Sequence, residues 1–190
     1  MESNHRPPLG APMSADYRRG HTGWQPVGGL GMAASVLIGL VALLAGLRTI
    51  AVVSGRVQLA LLYILLYVVA LIAAAVVFIV WVRRARANVH LVAGQRFAPR
   101  QRGYWARFSW VARYVSDVWR ASAPDGHGGE RLVMAWWITW LASKLVPALD
   151  RGVADRIPVA VVATVLEIAA AVLAIVIILR ISKWQRVSPV

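Results

Sequence analysis

Glu167 has the least expected chemistry for its position in this sequence. It is the lone acid in the apolar run from Ile157 to Ile181. A carboxylate at the centre of a bilayer costs about 2.5 to 3.5 kcal/mol on insertion scales, and each Ile, Leu or Val returns about 0.3 to 0.6 kcal/mol. Several aliphatic residues must therefore offset this one side chain. Ala163, Thr164, Ala170, Ala171 and Ala174 share its helical face, while Val165, Val172, Val176 and Leu179 lie opposite. Small residues let a neighbouring helix approach, so Glu167 is expected to face other helices.

Lys144 is its natural partner. It lies about five residues before the end of the preceding apolar run, and Glu167 about ten after the start of its own, a difference in level of about 7.5 Å at helical rise. Side chains lean toward their own N-terminus, which in antiparallel neighbours closes that gap. Tyr63 and Tyr67, one turn apart on another run, supply hydroxyl donors at similar depth. The expectation is an intramembrane polar cluster of Glu167, Lys144, Tyr63 and Tyr67. Packing glue is its first reading, a proton or solute pathway the second and a lipid-facing accident the third.

Other candidates carry less. Trp136, Trp137 and Trp140 form an aromatic run in which Lys144 can fold over Trp140 at i, i+4; interfacial anchoring is preferred there to a ligand wall. Asp125, His127 and Glu130 stand close together among glycines, but without a second ligand cluster they read as a solvated turn and not a metal site. The absence of cysteine excludes disulfides, thiol catalysis and cysteine-based metal centres. No nucleophile sits near a base, since spacing unites neither His90 nor His127 with a Ser and an Asp. Neither enzymatic activity nor a metal or cofactor is expected.

These residues must be carried by membrane helices. Of 190 residues, 59% are apolar and 15% charged, against roughly 45–50% and 25% in soluble domains. The apolar residues gather in four blocks, at about 27–50, 57–82, 132–149 and 157–181. At about 1.5 Å per residue each can cross about 30 Å of hydrocarbon, the third only just. The fold class is therefore all-α: a bundle of four transmembrane helices in a domain over 27–186. Residues 1–26, rich in Pro and Gly with no apolar period, read as a disordered tail. The uninterrupted run from Val27 to Leu47 is too long for a signal-peptide core.

Between the second and third blocks, Tyr104, Phe108, Val111, Val115 and Val118 recur at helical spacing, with Arg113, Asp117 and Arg120 opposite. This predicts an amphipathic helix over about 103–121, lying in the inner headgroup layer or folded under the bundle. Gly31, Ser35, Gly39, Ala42 and Gly46 make a small-residue stripe on the first span, read as an internal seam or, second, a dimer interface.

Orientation follows from the basic residues. The formal charge is +13, from 21 Lys plus Arg against 8 Asp plus Glu. Sixteen of the basic residues fall on the side holding both termini and the central segment, and only Arg48, Arg56, Arg151 and Arg156 on the other. The positive-inside rule places both termini in the cytoplasm, with the protein in the cytoplasmic (inner) membrane. Arg83, Arg84 and Arg86 then meet anionic lipid headgroups, so the charge excess needs no nucleic-acid partner.

The series Trp81, Arg84, Ala85, Asn88, then Trp110, then Asp117, Trp119, Arg120, Ala121, Ser122, and finally Trp136, Trp137 and Trp140 resembles a family of actinobacterial membrane proteins known as a domain of unknown function, DUF4328. The resemblance covers about 78–146 and implies a multi-pass membrane protein without assigning an activity or a cofactor. That family usually carries prolines after its central tryptophan. Val111 to Val118 has none, which predicts an unbroken helix there. The functional expectation is a non-enzymatic scaffold or interaction protein that engages anionic lipid, a membrane partner or a second copy of itself. The alternative is a small transporter or channel component using Glu167 as a proton or cation site.

Overall fold

The computed structural model describes residues 26–93, 110–123, 130–149 and 157–187. Among them the protein is all-α, with helices α1 (Gly28–Val53), α2 (Val57–Ala93), α3 (Trp110–Ser122), α4 (Glu130–Leu149) and α5 (Ile157–Val187). Four of these, α1, α2, α4 and α5, are long and apolar enough to cross a membrane. The tail over 1–25, residues 103–109 of the expected amphipathic helix, and Asp125 and His127 lie outside the described residues.

Apolar side chains point outward as well as inward. Leu61, Leu65, Val69 and Ile72 on α2 and Val165 and Val172 on α5 are largely exposed, which suits helices whose solvent is lipid. Many of the buried positions in the spans are small, among them Ala34, Ala45, Ala70, Ala74, Ala163, Ala170 and Ala174. The opposite faces of α5 therefore divide as its sequence pattern predicts, with Glu167 buried on the small-residue side.

A three-residue turn reverses the chain between α1 and α2. The amide of Arg56 donates to the Ala51 carbonyl at 2.9 Å and that of Gly55 to Val52 at 3.1 Å, the paired bonds of a Schellman cap. The cap requires a positive φ at its penultimate position, and Gly55 has φ of 68°. Only glycine adopts that conformation without a Cβ penalty.

In the bundle α1 packs against both α2 and α5, and α5 against α4, whereas the backbones of α2 and α4 hardly approach each other. Two of the helices outrun the expected spans. α2 continues past Val82 to Ala93 because its arginines and alanines are good helix formers and the first breaker is Gly94; α5 continues to Val187. At about 1.5 Å per residue α2 is about 55 Å long, well beyond about 30 Å of hydrocarbon. The two extensions form a cradle for α3, which touches α2, α4 and α5. Ala112, Val115, Val118 and Trp119 are buried there with Trp81, Ala85, Val133, Trp136, Ile177, Ile178 and Ile181. Of the two placements open to α3, the structure shows the one under the bundle: its apolar face is covered by protein, not lipid.

Candidate functional site

Four spans contribute to one polar cluster at the end of the bundle opposite α3. The Lys144 ammonium lies 2.6 Å from Glu167 Oε1 and donates to the Tyr67 hydroxyl at 3.1 Å. Tyr67 in turn donates to the same Glu167 Oε1. The Glu167 side chain is 10% exposed and that of Lys144 38%, so the carboxylate is enclosed while its partner reaches the surface between α2 and α4. A carboxylate removed from water needs such charge-assisted donors. The offset in level between Lys144 and Glu167 is spanned by the long lysine side chain, as the antiparallel geometry predicts.

The first span enters the cluster as well. The Arg48 guanidinium lies 5.2 Å from the Tyr67 ring centroid, and Lys144 Nζ lies 5.8 Å from the same centroid. Both distances fall within cation–π range. Beside them the hydroxyls of Thr49 and Thr164 are hydrogen bonded at 2.6 Å, joining α1 to α5. Tyr63 is half-buried and packs against the apolar residues between α1 and α2; the hydroxyl bonding to Glu167 comes from Tyr67. The ring under Lys144 is that of Tyr67, while Trp140 stacks on Trp137 at 5.1 Å between centroids. That pairing replaces the expected fold of Lys144 over Trp140.

The family-like residues converge at the other end. Trp81, Ala85, Asn88, Trp119 and Trp136 are buried. Trp81 donates its indole N–H to Ser182 Oγ at 3.1 Å. Gln185 ties three segments together, its amide nitrogen donating to the Ala85 carbonyl at 3.1 Å and the Ser122 hydroxyl at 3.0 Å. Asn88 donates to the Gln185 side-chain oxygen at 3.5 Å. Trp119 meets Trp184 edge-on at 4.8 Å between centroids, and Phe78 bridges Trp81 and Trp136. Asp117 and Arg120 pair at 3.9 Å on the outer face of α3, with Ala121 half-buried beside them. Trp110 opens α3, Trp137 is half-buried and Trp140 exposed.

Arg83 and Arg84 are exposed at this end, but Arg86 is drawn inward, its guanidinium 4.1 Å from the Tyr114 ring. This contact joins α3 to α2. On the first span Gly31 and Ser35 are buried, and a Cβ at Gly31 would run into Ser182 Oγ and lie 3.1 Å from Trp81 Nε1. Gly39 and Gly46 have open space instead, so the small-residue stripe is a packing seam only at its Gly31 end. Among the described residues no group of three His, Asp or Glu side chains is placed to hold a metal ion.

Sequence reasoning missed Arg48, Thr49, Ser182 and Gln185. A signal for Arg48 existed. It stands five residues before the end of α1, as Lys144 does before the end of α4, and Tyr67 and Glu167 each stand ten residues after the start of the following helix. The two hairpins thus present cation and partner at equivalent levels. Ser182 and Gln185 lie beyond the apolar run, where a polar residue in a basic tail looks solvated until α3 is known to pack on it.

Residues 27–183 match a protein family described as a domain of unknown function, DUF4328. No curated protein and no solved structure matches the chain.

Proposed function

Because this chain belongs to the DUF4328 family, a grouping that carries no activity with it, we propose from its own geometry that it is a non-enzymatic scaffold or interaction protein of the cytoplasmic membrane. The observation that carries this reading is the enclosure of Glu167 by Lys144 and Tyr67. A carboxylate that loads and releases a proton or cation has to be free for part of its cycle. Here a lysine from the same chain already occupies the place of the cation. The acid thereby joins α2, α4 and α5 and leaves the exposed surfaces of the protein to do the binding.

Those surfaces have the right chemistry for lipid and protein partners. Arg83 and Arg84 are exposed near the junction with α3, whose outer face presents Arg113, Asp117 and Arg120. The excess of basic residues on this side supports a cytoplasmic location for α3 and both termini. The chain has no native cysteine, so Ser54→Cys and Ser188→Cys can be labelled singly in intact cells. An impermeant maleimide is expected to reach position 54 and not 188; the reverse pattern overturns the orientation.

The functional reading is tested by reconstituting the purified chain in liposomes and measuring proton and monovalent cation flux. Flux equal to that of empty liposomes, together with a lowered thermal midpoint for Glu167→Gln in mild detergent, is the expected result. Flux through the wild type that Glu167→Gln abolishes would replace the scaffold reading with that of a transporter or channel component.

A further inference from the structure

Among the described residues the polar cluster is not electrically balanced. Lys144 and Arg48 bring two positive charges to the rim of Tyr67, and Glu167 brings one negative charge. Lys144 is matched by the carboxylate at 2.6 Å. Among the described residues Arg48 has one contact, the Tyr67 ring at 5.2 Å, and no acceptor for its N–H groups. A guanidinium carries five donors in a planar fork, and a cation beside a span without a counter-ion is costly in a bilayer. Arg48 is only half-buried, so an anion can approach it from outside the bundle.

The approach is open. The backbones of α2 and α4 hardly approach each other and meet through side chains such as Tyr67 and Lys144, and 38% of the Lys144 side chain is exposed. The walls beside it, including Leu66 on α2 and Leu145 on α4, are apolar and face outward. The unmatched charge of Arg48, on a planar fork suited to phosphate oxygens, stands at the Tyr67 ring that Lys144 also approaches.

We infer that Arg48, assisted by Lys144, forms a binding site for a singly charged phosphate group at the end of the bundle opposite α3. The group is the phosphodiester of an anionic phospholipid or a free phosphate ion. This site is separate from the arginines near α3 and does not rest on the scaffold reading, since a transporter could hold the same anion. Glu167 remains bonded to Lys144 and Tyr67, and the incoming phosphate accepts from the unoccupied donors of Arg48.

The test uses the full chain in a neutral maltoside detergent, with thermal midpoints measured against added phosphatidylglycerol, phosphatidylcholine or inorganic phosphate. Phosphatidylglycerol is expected to raise the midpoint by several degrees and phosphatidylcholine to do much less. Arg48→Gln should remove at least half of that shift, whereas Arg56→Gln, an exposed arginine at the same end, should keep it. Inorganic phosphate reproducing an Arg48-dependent shift supports the site and assigns it to the soluble ion. A shift that Arg48→Gln leaves intact, or no shift with any anion, overturns the proposal. Should Arg48→Gln fail to fold, native mass spectrometry of the wild type decides: retention of one phosphatidylglycerol per chain in preference to phosphatidylcholine, lost in Arg48→Lys and kept in Arg56→Gln, is required.

Discussion

The two ends of the bundle are held by different forces because they have different solvents. Near Tyr67 and Glu167 the helices are surrounded by lipid, which is as apolar as their own side chains, so burial of leucine or valine contributes little to association. Trp81, by contrast, is 24 residues beyond the start of α2, about 36 Å along the helix and past about 30 Å of hydrocarbon. That level is close to where the hydrocarbon ends, so headgroups and water come within reach and the hydrophobic effect contributes to packing. The difference accounts for the contents of each region. One end uses a few charged and hydroxyl groups; the other uses Trp81, Val115, Val118, Trp119, Ile178 and Ile181 in a core of ordinary soluble character.

If that contrast holds, the largest single effect belongs to the tryptophan core. Trp81 has no exposed surface and donates to Ser182. Trp81→Ala is expected to lower unfolding stability by about 3 to 5 kcal/mol, measured by denaturant titration in mild detergent. A loss under about 1 kcal/mol would show that the junction is not a cooperative core and would break the comparison.

The next effect tests the lipid-embedded end. Lys144→Ala leaves a 10% exposed carboxylate with Tyr67 as its remaining hydrogen-bond donor, at an expected cost of about 2 to 3 kcal/mol, below the range for fully buried pairs because Lys144 is partly exposed. The double variant Lys144→Met with Glu167→Leu should recover most of that loss, since an apolar pair suits lipid at least as well. Additive losses in the same unfolding assay would mean that the two charges do not act on each other.

The same difference explains how much could be read before the fold was known. Charge in an apolar run is conspicuous, and helix levels plus side-chain lean were enough to bring Lys144 to Glu167. Tyr67 and Tyr63 could not be separated that way, because a one-turn difference lies within the uncertainty of helix rotation and tilt. The four span-length helices and the amphipathic α3 were legible from hydropathy and period. Where α3 docks was not, since an apolar face has equal reason to seek lipid or protein, and its receptor consists of α2 and α5 extensions that read as basic tails. Ser182 and Gln185 take their roles from that docking and were therefore invisible.

Gln185→Leu measures the docking of α3 through its polar contacts alone. The change removes the bonds to Ala85 and Ser122 and leaves Asn88 without its acceptor on Gln185, at a cost of about 1 to 2 kcal/mol. Hydrogen exchange should report it locally, with amides of α3 exchanging faster while those around Glu167 in α5 keep their protection. Uniform loss of protection would instead make the two ends one cooperative unit.

Tyr67→Phe gives the smallest and most discriminating effect. It keeps the ring that Arg48 and Lys144 approach and deletes only the hydroxyl that joins Lys144 to Glu167. Interhelical hydrogen bonds in membranes average about 0.6 kcal/mol because alternative partners exist in the unfolded helices, so a loss of about that size is expected, with none for Tyr63→Phe. Combining Tyr67→Phe with Lys144→Ala isolates the reason. With the ammonium gone, the tyrosine hydroxyl is the donor left to a buried carboxylate, and its removal should then cost more than it does in the wild type. Equal costs in both backgrounds, read from the same denaturation curves, would mean that the carboxylate takes its proton from solvent once Lys144 is lost, and that the lipid-embedded end of the bundle is wetter than its enclosed geometry implies.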